Sequence, residues 1–482
     1  ENDALFRSMG VRAYDLLPYG SGQVYPAERG MTGGESWPTW EKTQPQTHDS
    51  IWGYANYATN LVAHKGPENM IALETWNEPN HYTAPSHEKA QKYTDFNKAT
   101  GVKLLYEGLD KLKFAPYSLA YNNEVEFVNY SIDYGLWPYV DAISHHPYVH
   151  GGGYNKNQLQ EYRMQYMEDI IIENGGWKDR DITEIGCPTP VGGVTEEQVA
   201  RDMPRLYTVS EDMENEACLV YDLINDGTEA TYTEHNFGQV TIDYKPKPSY
   251  ISTVAFNNNT QGGILLGQVD CAIDDATRAY LYHKDGKPVV IAWSTQIDIE
   301  DTVQWNLGNE SVDVYDKNNN LIESGVSTVT LGDSPVYIMG LSDDWYAKAA
   351  YYEVSKKGGN WIADYSDSLN AEDKEKIKGI IEKAKKDFVG TPSPETILET
   401  LDAMYNFGFD IVEYKENGKL EDIEVSRMLY MLYRVMQRVA RFYMSAYEGE
   451  VPEKLTNRAD QCYDAAKVLY KDNMQMMQYS EQ

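Results

Sequence analysis

The sequence predicts an α/β protein that carries a small antiparallel β domain and a C-terminal helical domain. Three observations predict it. Residues 1–265 alternate short β-branched runs with amphipathic stretches, the pattern of βα units around a parallel sheet. Residues 266–342 change to period-two runs joined by turn residues. Residues 343–482 are helical in pattern.

In the first part the candidate strands are Val11–Leu17, Met70–Trp76, Leu112–Leu119, Val140–His146, Arg180–Glu184 and Ala217–Leu223. Helical stretches lie between them at Ser50–His64, Ser86–Leu109, Gln158–Glu173 and Glu196–Glu211. Ser50 ahead of Ile51 and Trp52 reads as a helix cap, and Thr195-Glu-Glu-Gln198 as a capping box. This alternation means a doubly wound sheet or a (β/α) barrel. No G-x-G-x-x-G follows any of the strands, which counts against a dinucleotide fold. Gly20–Asp49 is aromatic and Gly-rich without an apolar run of strand length, and reads as a cleft-forming loop.

The second part reads as hairpins. One joins Arg278–His283 to Pro288–Ser294 through Lys284-Asp-Gly-Lys287, another Val312–Tyr315 to Leu321–Glu323 through Asn318-Asn-Asn320. In the third part Ala371–Phe388 is a charged helix stopped by Gly390 and Thr391-Pro-Ser-Pro394. Glu421–Tyr447 places Val425, Met428, Leu429, Leu432, Met436, Val439 and Tyr443 at helical spacing. Eight of the 16 Met fall between Met404 and Met477, so this tail is either a packed core or an adaptable face able to dock a protein partner.

Composition narrows the function classes. With 42 basic and 75 acidic residues the net charge is −33, which argues against a nucleic-acid partner, since neutralising phosphates needs clustered Lys and Arg. A neutral or cationic ligand fits better. The four cysteines form no C-x-x-C, so neither a zinc knuckle nor a disulfide scaffold is indicated, and no metal or cofactor is expected. No apolar stretch approaches the ~20 residues of a membrane span. The chain opens at Glu1 without an initiator Met or signal peptide, so any targeting segment is expected to have been removed or to lie outside this sequence. Aromatics reach 12%, with 39 Tyr and 10 Trp, as in clefts where flat rings stack on sugar faces.

The chemistry is carried by strand ends. Ala72-Leu-Glu-Thr-Trp-Asn-Glu-Pro-Asn80 runs from an apolar strand into Asn77-Glu78-Pro79, and the proline ends the strand by withdrawing its N–H. Parallel α/β enzymes build their sites at this end of the strands. Asp181-Ile-Thr-Glu-Ile-Gly186 repeats the arrangement with Glu184, followed by Gly186 and a proline-containing turn. Most Glu side chains are surface residues, but two carboxylates in matching positions are what glycoside cleavage needs. Between them, Asp141-Ala-Ile-Ser-His-His-Pro-Tyr148 is again strand then turn. Strand alternation turns only one of His145 and His146 inward. His146, with Tyr148, is the choice for hydrogen-bonding the nucleophile and the sugar.

Thr75-Trp-Asn-Glu-Pro-Asn80, His146-Pro-Tyr148 and Ile182-Thr-Glu-Ile-Gly186 resemble clan A glycoside hydrolases, retaining enzymes on a (β/α)8 TIM-type barrel. Tyr221-Asp-Leu223, Glu234-His-Asn-Phe-Gly238 and Lys245-Pro-Lys-Pro-Ser-Tyr250 look particularly like family 39 and its bacterial exopolysaccharide-hydrolase relatives. The resemblance spans Phe6 to Tyr250. It implies Glu78 as acid/base, Glu184 as nucleophile and Asn77 as partner of the 2-hydroxyl. His146 and Tyr148 would line the site, with Tyr221 and Trp52 or Trp76 as subsite walls. A β-sandwich after the barrel also fits family 39; the helical tail has no counterpart in the pattern.

In clan A the acid/base closes the fourth strand and the nucleophile the seventh. Counted that way, Val11–Leu17 is the third strand and the first two are absent. Six strands cannot close an eight-stranded barrel. The expectation is therefore a partial barrel whose N-terminal piece was removed or comes from another polypeptide. The function expected is retaining hydrolysis of β-glycosidic bonds in a poly- or oligosaccharide, by a protein secreted or displayed at a bacterial surface. The alternative is a non-catalytic glycan-binding or structural protein on a glycosidase-like barrel.

Overall fold

The computed structural model describes residues 13–17, 45, 47–80, 86–121, 123–148, 157–271, 273, 276–294, 302–358, 369–416, 422–447 and 449–465. The Gly20–Asp49 loop lies outside them apart from residues 45 and 47–49.

Strands β1 (Ala13–Leu17), β2 (Met70–Thr75) and β3 (Lys113–Ala115) pair in parallel. So do β4 (Leu119–Ala120), β5 (Ala142–His146), β6 (Asp179–Ile185) and β7 (Ala217–Val220). The run Leu112–Leu119, expected as one strand, is therefore broken into β3 and β4. Pro116 offers no N–H to a ladder, and Ser118 turns the chain with φ 43°. Among the described residues the partial barrel expected from the sequence forms two parallel arcs, β1-β2-β3 and β4-β5-β6-β7, parted where pairing lapses at 116–118.

Helices α1 (His48–Lys65), α2 (His87–Tyr106), α3 (Glu124–Asp133), α4 (Asn157–Glu173), α5 (Glu196–Asp212) and α6 (Pro248–Thr260) alternate with the strands. Helix α1 starts ahead of Ser50, and its cap is Thr47. Ser50 N donates to Thr47 Oγ1 at 3.3 Å and Thr47 N donates to Ser50 Oγ at 3.0 Å, so Ser50 is the far corner of a capping box. The Thr195–Gln198 box forms as read.

Alternation along the strands sorts the side chains. Leu73 and Phe114 turn outward into an apolar layer with Tyr54, Phe96 and Val128 from the helices. Ala72, Ala115 and Ala142 meet on the inner face, with Tyr14 packed against them. At the strands' N-terminal ends Tyr14 donates to Asp181 Oδ2 at 2.9 Å, and Lys113 pairs with Asp179 at 3.2 Å and with Asp181 at 3.5 Å. The inner face is thus small in the middle and polar at both ends.

Eight further strands follow: β8 (Ile264–Gln268), β9 (Thr277–Lys284), β10 (Lys287–Ser294), β11 (Val303–Asn306), β12 (Val312–Tyr315), β13 (Leu321–Val326), β14 (Thr328–Leu331) and β15 (Val336–Met339). Six of them form an antiparallel sheet in the order β13-β12-β15-β10-β9-β8. Its first strand begins at Ile264, just ahead of the boundary expected at 266. The β9–β10 hairpin closes through Asp285 at φ 52° and Gly286 at φ 73°, a two-residue turn whose hand matches the strand twist.

The tail holds α7 (Asp344–Tyr352), α8 (Ala371–Asp387), α9 (Pro394–Glu416) and α10 (Asp422–Tyr447). Met404, Met428 and Met436 are buried with Val425, Leu429, Leu432 and Val439, in a core continuous with Val290, Val312 and Ile338 of the sheet. Tyr443 is half-buried at its border. Helix α10 also grips the loops that feed β6 and β7. Trp177 Nε1 donates to the Ser426 carbonyl at 2.9 Å, and Ser426 Oγ to the Gly175 carbonyl at 2.7 Å. The tail therefore braces the N-terminal ends of these strands, opposite the ends that carry Glu78 and Glu184. Among the described residues no helix is long and apolar enough to cross a membrane.

Candidate active site

Strand β2 delivers the first carboxylate through a strained exit. Trp76 at φ 61° and Glu78 at φ 48° are left-handed, a conformation that non-glycine residues hold only when their surroundings enforce it. The enforcement is visible. Glu78 N donates to the Ser118 carbonyl at 2.9 Å. Asn80 imitates a strand neighbour, with Nδ2 donating to the Ala120 carbonyl at 2.8 Å and Oδ1 accepting from Ala120 N at 2.9 Å.

The second carboxylate arrives on β6. Regular alternation would send Thr183 and Glu184 to opposite faces, but the pairing with β7 shifts register between Ile182 and Ile185. Thr183 then donates to Glu74 Oε1 at 2.8 Å, while Glu184 Oε1 accepts from the Tyr148 hydroxyl at 2.7 Å.

His146 ends β5 between the two acids. Its Nδ1 lies 3.1 Å from Glu78 Oε1 and 3.4 Å from Glu184 Oε2. Two oxygens at those distances from one nitrogen can be no farther apart than the two spans laid end to end. Burial opposes charge on this ring, but the Glu78 hydrogen bond and the charges of Glu184, Glu74 and Glu78 prevail and lift its pKa. His145, next along the strand, is buried on the other side. Burial, then the positive charge of Arg180, holds it well below the ordinary value, so it stays neutral.

Three residues around the pair were not singled out in the sequence. Glu74 is buried beneath it, and desolvation raises its carboxyl against the pull of His146, Ser144 and Thr183. Ser118 Oγ lies 3.4 Å from Asn77 Oδ1 and 3.2 Å from His146 Nε2. Glu234 is raised by burial and then by the charges of Glu184, Asp226 and Glu78. The signal for Glu74 was available, an acid directly after the apolar run Met70–Leu73.

The other expected residues divide. Tyr148, Phe237 and Tyr221 form an edge-on aromatic row, with centroids 6.0 Å apart for the first pair and 5.1 Å for the second. Tyr221 also donates to Asp226 Oδ2 at 3.2 Å. Trp76, expected as a subsite wall, is instead fully enclosed against Tyr54 and Phe96, because its left-handed backbone turns the indole into the helix-facing layer. Trp52 is 37% exposed on α1 with its ring near His48, and no ring contact joins it to the carboxylates among the described residues. No cluster of three His, Cys, Asp or Glu suited to a metal ion occurs among the described residues.

A solved family 39 glycoside hydrolase from the gut symbiont Bacteroides cellulosilyticus WH2 overlays on 70% of this chain and 70% of its own, with TM-score 0.58 and 20% identity. In fold, this chain is similar to a family 39 glycoside hydrolase. Two further overlays are looser. A family 30 endoxylanase from Clostridium papyrosolvens C71 matches with 16% identity over 71% of this chain and 82% of its own, TM-score 0.42. The family 39 enzyme from Xanthomonas axonopodis pv. citri matches with 12% identity over 60% of this chain and 72% of its own, TM-score 0.42. No protein-family model and no curated protein matches the sequence.

Proposed function

We propose that the chain is a retaining glycoside hydrolase acting on β-linked poly- or oligosaccharides, with Glu184 as nucleophile and Glu78 as acid/base. One observation carries the reading: both carboxylates reach the same imidazole nitrogen from different strands. That closeness is compatible with the ~5–5.5 Å spacing of retaining enzymes. The β-linkage is supported by the sequence motifs and by the family 39 fold.

In the first step a Glu184 oxygen bonds to the anomeric carbon as the glycosidic C–O bond breaks and Glu78 passes its proton to the departing oxygen. In the second, Glu78 takes a proton from water, whose oxygen attacks the same carbon and frees Glu184. Tyr148 fixes one nucleophile oxygen by a charge-assisted bond. Asn77 would bind the 2-hydroxyl, His146 would hold the acids together between turnovers, and Tyr148, Phe237 and Tyr221 would form one cleft wall.

Glu184→Gln is expected to abolish turnover of an activated aryl β-glycoside, and azide rescue of Glu184→Gly should return the α-glycosyl azide. Wild-type activity in Glu184→Gln would overturn the reading.

A further inference from the structure

We propose that Ser118 is a positioning residue that fixes the amide of Asn77 and the tautomer of His146 through one hydroxyl, a role that rests on the site reading above. It lies in the break between β3 and β4. Ser118 is fully buried at φ 43°, a conformation costly for a residue with a Cβ. It is held there from two sides, its N–H donating to Ser144 Oγ at 2.7 Å and its carbonyl accepting from Glu78 N at 2.9 Å.

The hydroxyl has one hydrogen to give. Asn77 Oδ1 can only accept, so that hydrogen goes to Asn77 and the Ser118 oxygen accepts from His146 Nε2–H. The direction of this chain has two consequences. The Asn77 Nδ2 donors are turned away from Ser118, free for a sugar hydroxyl. His146 keeps its Nε2 proton in both charge states, so the proton that comes and goes sits on Nδ1, facing Glu78 and Glu184. The charged and titratable groups facing His146 are Glu78, Glu184 and Glu74, with His145 beside it on the strand.

The test uses Ser118→Gly, which suits the backbone angle, and Ser118→Ala, which keeps the Cβ; both lose the hydroxyl. Two readouts are taken on the full chain. In nitrogen-15 NMR titration, removing the acceptor on Nε2 should lower the His146 pKa by about one unit. In kinetics, kcat/KM should fall about tenfold or more on an aryl glycoside bearing a 2-hydroxyl, and by much less on its 2-deoxy counterpart. An unchanged His146 titration, or an equal loss on both substrates, overturns the proposal. If the parent turns over no glycoside, the glycosidase reading falls and the NMR titration alone decides whether Ser118 governs His146.

Discussion

Thr183 gives its hydroxyl hydrogen to Glu74 at 2.8 Å, tying the residue before Glu184 to the strand that presents Glu78. Glu74 sits four residues before Glu78 and Thr183 one before Glu184. The bond therefore joins the two strands across the inner face. Burial leaves Glu74 with a raised pKa, so the folded state holds its proton more tightly than the unfolded chain does. Its stabilising share is complete below the ordinary carboxyl value of about 4.3 and drains away as pH rises through the higher folded value. Glu74→Gln keeps an acceptor for Thr183 and cannot ionise. Its stability relative to the parent should thus rise between pH 4 and pH 7 in urea melts, and a difference independent of pH would refute this account.

Tyr148→Phe tests the other end of Glu184. The phenol's pKa is driven far up by burial, then by the Glu184 charge, so it remains a donor throughout the working range. Hydrogen bonds to charged groups are worth about 1.5–3 kcal/mol, so if the contact persists in the transition state kcat/KM should drop by about ten- to a hundredfold. Retention of full kcat/KM would show that the contact does not act in the transition state.

Much of this was legible from strand periodicity and strand-end motifs. The helices at 86–109, 158–173 and 196–211 and both hairpins follow from local pattern, because capping and turn chemistry act over a few residues. What was missed depends on long-range pairing. Pro116 already signalled that Leu112–Leu119 could not be one strand, but nothing local told that the break aims Ser118 at Asn77 and His146. Strict alternation would also have put Thr183 and Glu184 on opposite faces; only the register shift against β7 brings both to the site. Trp76 was misread because a tryptophan beside a catalytic motif looks like a sugar platform until its backbone angle is known.

Gly186 shows how tightly that register is set. A Cβ there would collide with the Tyr221 carbonyl oxygen, a backbone atom that cannot yield without moving the end of β7. Tyr221 N in turn donates to the Ile185 carbonyl at 2.8 Å, so any shift is passed to the residue after Glu184. Gly186→Ala should cost about 2–4 kcal/mol of stability and lower kcat even well below its melting temperature. A variant that melts and turns over like the parent would mean β7 adjusts freely.

The tail offers a contrast between stability and catalysis. Glu214 accepts from Arg434 Nε at 2.7 Å and from Arg438 Nε at 3.1 Å, and Arg438 is almost wholly enclosed, with Nη2 donating to the Asp212 carbonyl at 2.6 Å. Removing the acid takes one of several counter-charges from this cluster, since Arg438 keeps Asp212 at 3.5 Å and Arg434 keeps Glu168, so the loss should stay below the ~3–5 kcal/mol of a fully orphaned buried charge. Glu214→Ala should therefore lower the denaturation midpoint, and Glu214→Gln by less, since an amide oxygen still accepts one bond. Because this clamp sits at the strand ends opposite Glu78 and Glu184, kcat measured well below the melting temperature should stay within about twofold of the parent for both variants. A large fall in kcat with an unchanged denaturation midpoint would mean instead that the helical tail reaches the reacting groups through the strands it braces.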